Sequence, residues 1–360
     1  MRRGTATTLS DVAKEVGVTA MTVSVVLNGA RSATRVSDAT RARIKEAAIR
    51  LNYRPNAVAQ GLSRRRMDTI GVVANIDGGE VNHYFLEVLN GILEGSTQHN
   101  QNTTVFSVPS WNEDHERFRQ ICDGRVDGVI LIAPLFSSAF GEWLSQHSPV
   151  VAIHPNNDYK GCLHIQSDDE NGMYLATKYL IDLGHRRILH FSGPEDLGGA
   201  HLRADGFRRA MADAGIPLDS GSIVPNWFNV ETGREHMKAY IENTPLESMA
   251  TAIVCASDAI AYGCMEVLNA AGISVPGQIS VVGFDDTILS RITQPQMTTV
   301  KQPFRQMGRR AVDMLLQELV ADKKQRASEA DGESAVPLAA RTEVFEVELV
   351  VRASAGPPRA

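Results

Sequence analysis

The chain has 360 residues, with 36 lysines and arginines against 42 acidic residues, a formal net charge of −6, and 43% hydrophobic against 22% charged side chains. That balance is an ordinary globular one; it excludes disorder over most of the length, and the length asks for two or three domains. No stretch approaches the roughly 18 apolar residues of a membrane span, residues 1–18 lack the apolar core of a secretory signal, and Cys122, Cys162, Cys255 and Cys264 have neither zinc nor disulfide spacing. A soluble, cytoplasmic chain without metal or cofactor is expected.

The charge is unevenly divided. Residues 1–66 carry 13 basic and 4 acidic side chains, a net of +9, and the remaining 294 hold −15. A small basic head on an acidic body points to a polyanionic partner, the plain alternative being a solvated basic arm. The pattern inside the head decides between them. Thr8 with Asp11 reads as a loose capping box, and Leu9, Val12, Ala13 and Val16 follow at helical spacing until Gly17 stops them. Thr19 is a second N-cap, opening a short helix over 20–28 that Gly29 closes. Two such helices on a glycine turn make a helix-turn-helix, whose second helix lays its N-terminal residues in the DNA major groove. A third helix starts at Ser37 and runs to about Asn52, with Ile44, Ala47, Ala48 and Leu51 on one face. Pro55 ends it. Residues 56–63 read as a further short helix before Arg64-Arg65-Arg66, with too little apolar surface to be stable alone.

From Thr69 onward short β-branched runs alternate with amphipathic stretches. Strands are predicted at 70–74, 103–108, 128–133, 150–153, 164–167, 188–192, 252–255 and 281–284; helices at 85–100, 171–183, 204–214, 232–241 and 258–271. Such alternation argues for parallel, doubly wound sheets with ligands beyond the carboxyl ends of the strands. Roughly ten strands suit two sheets better than one. Residues 322–341 read as a solvated loop between a last helix and a final strand near 344–351. After Val351 nothing resembles leucine heptads, so no tetramerising tail is expected. There is no catalytic or nucleotide-binding signature either: Gly193 to Gly198 imitates the start of a P-loop but lacks its lysine, and the ten histidines are scattered, His185 reading as structural. No catalytic residues are predicted.

The string from Leu9 to Thr19, then Thr22-Val23-Ser24, Leu27-Asn28-Gly29 and Leu51 to Asn56, with Ala59 and Leu62, resembles the head of the lactose/galactose-repressor (LacI/GalR) family of transcriptional regulators. In the body, Asp123 to Ile130, Leu183 to Ile188, Arg203 to Phe207, Ser280 to Asp286, Gln302-Pro303-Phe304 and Leu349 to Arg352 resemble the periplasmic-binding-protein-like core of the same repressors. The resemblance implies an N-terminal all-α helix-turn-helix head on an α/β core of two doubly wound parallel-sheet lobes. It implies a head over 1–63 with a hinge helix at about 56–63, a basic linker at 64–68, and a core over 69–353. One lobe takes 69–167 and 303–330, the other 168–300 and 340–353, with crossings near Ser167, near Thr299 and around 330–340; a tail follows over 354–360.

The resemblance also implies sites. Ala20 and Met21 stand where the family reads operator bases, Thr8, Thr19, Thr22, Ser24, Asn28 and Tyr53 where DNA contacts fall, and Asn56, Ala59 and Leu62 on the hinge helix, Leu62 as the leucine wedged into the minor groove. Asn82, Tyr84, Phe85, His154, Arg203, Phe228, Asp258 and Asp285 stand where an effector is met, the Arg203–Asp285 pair foremost. A guanidinium fork and carboxylates suit hydroxyls, and an aromatic face suits an apolar ring surface; singly, a buried Arg–Asp pair or Phe228 reads equally as structure. Departures are Val25 where the family has Arg, a longer stretch over 30–36, His154-Pro155 for Asp-Arg, and Ser257 for Asn. The expected partners are a near-palindromic operator, a sugar or sugar-related effector and a second copy in a homodimer, with no membrane. The alternative is a solute-binding protein sharing the core fold without DNA function.

Overall fold

A computed structural model of the chain describes residues 7–28, 35–64, 66–76, 82–111, 113–330 and 341–359. Two compact units result, one of residues 1–69 with 124–127 and one of 70–123 with 128–360.

In the first unit, α1 (Leu9–Val16), α2 (Ala20–Asn28), α3 (Asp38–Arg50) and α4 (Ala57–Arg64) follow the read pattern closely. The capping box closes with aspartate: Thr8 Oγ1 accepts from Asp11 N at 3.3 Å, and the Asp11 carboxylate accepts from Thr8 N at 2.8 Å. Gly17 stands at φ +77°, a left-handed turn that costs any other residue strain. Thr19 and Ser37 cap α2 and α3 through the amides of Thr22 and Thr40. The first three helices bury Val12, Ala13, Val16, Val23, Ile44, Ala47 and Ala48 against one another. Two arginines of the basic excess hold this unit together: Arg43 donates to the Val16 carbonyl at 2.8 Å, and Arg50 pairs with Glu15 at 2.6 Å.

The second unit alternates β and α: β1 (Thr69–Asn75), α5 (His83–Gln98), β2 (Asn102–Val108), α6 (His115–Ile121), β3 (Gly128–Ile132), α7 (Ser138–His147), β4 (Val150–Ile153), β5 (Leu163–Ser167), α8 (Asp169–Asp182), β6 (Ile188–Ser192), α9 (Gly198–Asp213), β7 (Ile223–Pro225), α10 (Val230–Asn243), β8 (Ala252–Cys255), α11 (Asp258–Ala270), β9 (Ser280–Asp285), α12 (Ile288–Ile292), β10 (Thr298–Lys301), α13 (Phe304–Ala330), β11 (Arg341–Phe345) and β12 (Glu348–Val350). Among the described residues these form two six-stranded sheets, β11-β5-β4-β3-β1-β2 and β12-β10-β9-β8-β6-β7. Both lobes therefore repeat one doubly wound order, and β12 alone of the registered strands runs antiparallel to its neighbour β10. Each sheet has its own apolar core, centred on Val72, Ile130, Val151 and Met307 in one lobe and on Ile253, Val281, Phe191 and Leu268 in the other.

Three sequence expectations are corrected. The single final strand at 344–351 is two strands in different sheets, so the third crossing between lobes lies at residues 346–347, and 341–345 belong to the first lobe rather than the second. A run of alternating apolar residues reads as one strand whether or not it changes sheets midway. Residues 322–330, read as loop, continue α13; the lysines, glutamate and alanines there are strong helix formers, and their polarity misled the reading. The remainder of that segment, 331–340, lies outside the described residues, as do Gly29, residues 30–34 of the lengthened stretch and Arg65 of the linker. Of the tail at 354–360, residues 354–359 are built into the second lobe, and residue 360 lies outside the described residues. Ser354 is fully buried, with its Oγ accepting from Thr298 N at 2.8 Å, and Arg359 donates to the Gln278 carbonyl at 2.9 Å. His185 is structural as read, its Nδ1 on Thr251 Oγ1 and its Nε2 donating to the Gly356 carbonyl, each at 2.8 Å.

Helices α5 and α13 cross at glycine. A Cβ at Gly308 would sit 2.4 Å from the Val88 carbonyl oxygen, and one at Gly91 would sit 2.2 Å from that of Arg305. An exposed helical Gly→Ala gains about 1 kcal/mol from propensity. Here backbone stands in the way, so Gly308→Ala is expected to lose about 1–3 kcal/mol through overpacking, read as a lower urea midpoint of the core.

Candidate functional site

In the helical unit, the residues expected at DNA lie along α2 and α4. Met21 is 61% exposed, unusual for so large an apolar side chain. Thr19 is exposed beside it, and Ala20, Thr22 and Ser24 are half-buried. Thr8 is exposed, with its hydroxyl spent in the capping box. Tyr53 is half-buried against the apolar core of the unit. Asn56 and Ala59 are exposed, and the Asn56 carboxamide caps α4 through Ala59 N at 3.2 Å. Leu62 falls within α4, but its side chain lies outside the described residues. Asn28 is half-buried and ties the end of α2 to α4: its carboxamide oxygen accepts from Gln60 Nε2 at 2.9 Å and its carbonyl from Arg64 at 3.3 Å. Gln60 was missed because a polar residue on a short helix carries no signal of its own.

The second cluster gathers at the carboxyl ends of strands from both lobes. Arg203, on α9, is 7% exposed. Its Nε donates to Asp169 Oδ1 at 2.8 Å, its Nη1 to the Ala256 carbonyl, and Nη1 lies 3.8 Å from Asp285 Oδ1. The guanidinium lies over the Phe284 ring at 4.0 Å from its centroid and over Phe228 at 5.5 Å. So the pair expected to lead, Arg203 with Asp285, is present, but the closest carboxylate is Asp169, which sequence reasoning missed. Phe228 packs flat on Gly193, where a Cβ would come within 2.3 Å of the ring.

On the first lobe, Tyr84 Oη lies 2.9 Å from His154 Nδ1, and His154 Nε2 lies 2.9 Å from Ser167 Oγ. Ser167 donates to Gln302 Oε1 at 2.5 Å, and Gln302 Nε2 donates to Asp285 Oδ1 at 2.6 Å. Ser167 and Gln302 sit at two of the interlobe crossings and were also missed. Polar residues flanking a strand end are common, and only the fold brings these two together. His154 and Asp285 hold positive φ, +49° and +120°, a strained backbone of the kind that collects at functional sites.

Three expected effector residues lie beneath this surface or beside it. Asn82 caps α5, accepting from Phe85 N at 2.8 Å, and Phe85 is in the first lobe's core. Asp258 is fully buried: its Oδ2 accepts from Thr287 N at 2.7 Å and Oγ1 at 3.0 Å, and its Oδ1 from Thr299 Oγ1 at 2.6 Å. With those oxygens occupied by protein, it braces the strand ends rather than meeting a ligand. Ser257, a departure from the family, caps α11.

Burial governs the ionisation here. It pushes Asp285 up to about 7, against the pull of Arg203, and raises Asp258 well above the carboxylate range with help from Asp285. It lowers His154 and His190 to about 4. The signs oppose each other. Between about pH 6.5 and 4 the unfolded chain binds a proton at each histidine that the folded chain does not, so stability falls as pH falls. Between about 7 and 4 the folded chain holds a proton at Asp285 that the unfolded chain lacks, so stability rises as pH falls. Asp258 acts in the same sense, and Asp285→Asn removes one of these two compensating groups; its urea midpoint is expected to drop more steeply from pH 7 to 4 than that of the parent chain.

Comparison with known proteins bears on both clusters. Residues 8–56 match the profile described as bacterial regulatory proteins, lacI family, and residues 177–354 match a periplasmic binding protein-like domain. The HTH-type transcriptional repressor PurR of Vibrio parahaemolyticus is 34% identical over 322 residues, 88% of this chain and 93% of that one. The HTH-type transcriptional regulator DegA of Bacillus subtilis is 32% identical over 84% of this chain and 88% of its own. Among solved structures, the lac repressor dimer bound to operator and the anti-inducer ONPF superposes with a TM-score of 0.81 at 26% identity, covering 97% of this chain and 99% of that one. The transcriptional regulator CelR–cellobiose complex superposes at 0.69 with 27% identity and the same coverage.

Proposed function

The chain belongs to the lacI family of bacterial regulatory proteins, and from that premise we propose that it represses transcription as a homodimer on a near-palindromic operator, under control of a small molecule bound between its lobes. It is a DNA-binding transcriptional regulator with an effector-binding core, and its role, like that of its relatives, is not enzymatic. The observation that carries the reading is the pairing of two clusters on one chain: an exposed helix-turn-helix face around Met21 and a buried polar cluster around Arg203 at the strand ends of both lobes. A solute-binding protein would have the second without the first.

DNA contact is assigned to Thr19, Ala20, Met21, Thr22 and Ser24 on α2 and to Asn56, Ala59 and Leu62 on α4. Since Ala20 and Met21 offer no polar fork, base reading leans on thymine methyls and DNA shape. The effector is assigned to Tyr84, Arg203, Phe228 and Asp285, and as a class to a sugar or related metabolite; CelR is a structural relative held with cellobiose. The working compartment is the cytoplasm, where operator DNA lies, and no helix among the described residues is long and apolar enough to cross a membrane.

The test begins with selection of a duplex from a random pool by the full chain, followed by affinity measurement against salt. Six to ten phosphate contacts predict about a 10³–10⁵-fold loss between 50 and 200 mM salt. Arg43 and Arg50 are tied internally, so the slope should fall short of what all 13 basic groups would give. Failure to enrich any sequence would refute the reading.

A further inference from the structure

His154 stands where an effector ligand was expected, yet both its ring nitrogens are occupied by protein, Nδ1 by Tyr84 and Nε2 by Ser167. Directions along this chain of contacts can be worked out from its far end. Asp285 Oδ1 accepts from Gln302 Nε2, as it does whether the group is ionised or carries its proton on Oδ2, so the oxygen of the Gln302 carboxamide faces Ser167. Ser167 has one proton and two neighbouring acceptors, Gln302 Oε1 at 2.5 Å and Asp169 Oδ1 at 3.4 Å. Whichever takes it, the Ser167 oxygen must accept from His154. The ring then carries its proton on Nε2, Nδ1 is an acceptor, and Tyr84 donates to it.

We propose that Tyr84, His154, Ser167, Gln302 and Asp285 form a one-directional hydrogen-bond relay through two of the interlobe crossings, in which His154 is a positioning residue that links the lobes rather than an effector ligand. The proposal deepens the effector reading and rests on it. Tyr84 opens α5 in the first lobe, while Asp285 ends β9 in the second beside Arg203. A ligand that takes the Asp285 oxygen from Gln302 frees that carboxamide to turn, and Ser167 loses its nearer acceptor. Its proton then goes to Asp169, on the other side of the crossing, and the contact between the two crossings opens. Occupancy near Arg203 is thereby felt at Tyr84 and in the angle between lobes, without the ligand touching His154. A half-buried histidine whose Nδ1 already accepts from a tyrosine is also costly to protonate, which suits a fixed relay.

Two measurements test this on the full chain, neither involving DNA, so that failure of the relay is distinguishable from failure of the regulator reading. Nitrogen-15 NMR of the histidine-labelled protein, with His154 assigned by its loss in His154→Asn, should show an unprotonated Nδ1 and a protonated Nε2 at neutral pH. An Nδ1–H ring or a cationic ring would overturn the proposal. Spin labels at Glu142→Cys on α7 and Lys238→Cys on α10, both exposed, in a Cys122→Ser background, report the lobe separation. Ser167→Ala is expected to shift or broaden the distance distribution, and Ser167→Thr, which keeps the hydroxyl, to restore it. An unchanged distribution in Ser167→Ala, or no rescue by threonine, would count against the relay; if Ser167→Ala does not fold, the NMR result on the native chain decides.

Discussion

Arg203→Met is expected to destabilise the core by about 3–5 kcal/mol, the cost of removing one partner from a buried ion pair. The reason is the surroundings that remain. Asp169 is 3% exposed and accepts from Arg203 Nε at 2.8 Å, and Asp285, already pushed up by burial, loses the guanidinium that opposes that rise. Both carboxyls then face a methionine. Neutralising one of them should return part of the loss, so the double variant Arg203→Met/Asp169→Asn is predicted to be more stable than the single one. Two contacting residues that fail to add in this way are the expected signature of a coupled pair. Urea unfolding of the two variants measures it. Additive losses would mean that Arg203 acts through its packing on Phe284 and Phe228 instead.

The second large effect is predicted in the helical unit. Ile44→Ala removes a fully buried side chain from the cluster that joins α1, α2 and α3. Such a truncation costs about 2–5 kcal/mol. In a unit this small the whole stability is of similar size, so the variant should leave much of the unit unfolded while the core melts as before. Affinity for the selected duplex is expected to fall about 100-fold or more, by the population argument that a state present at one part in a hundred binds a hundredfold more weakly. A normal affinity would show that the unit is held by something other than its own core.

The helical unit was legible in the sequence almost to the residue, because caps and turns depend on local chemistry: Thr8, Thr19 and Ser37 cap with their hydroxyls, and Gly17, lacking a side chain, takes the left-handed turn. The central strands were equally legible, since strands covered on both faces read as unbroken apolar runs. What escaped depends on distant chain. β7 and β10 are short, and the chain changes sheets between β11 and β12 without any break in pattern. Asp169 and Gln302 acquire their meaning only when the crossings meet, one partner lying 34 residues from Arg203 and the other 135 from Ser167. Phe85 and Asp258 show the reverse: family position sets them at a ligand, and in the fold both are buried, one in the first lobe's core and the other behind the strand ends.

A ligand held between the lobes and the operator held by the helical unit are expected to compete or cooperate through one equilibrium. This coupling is tested most directly by measuring the affinity of the full chain for its selected duplex with and without a cellular pool of small metabolites, beside the cleft variant Asp285→Asn. Coupling of about 1–3 kcal/mol, a roughly 5- to 150-fold change in operator affinity, is predicted for the parent chain, with most of it lost in Asp285→Asn. An operator affinity that no metabolite fraction moves, or a shift that survives intact in the variant, would contradict it.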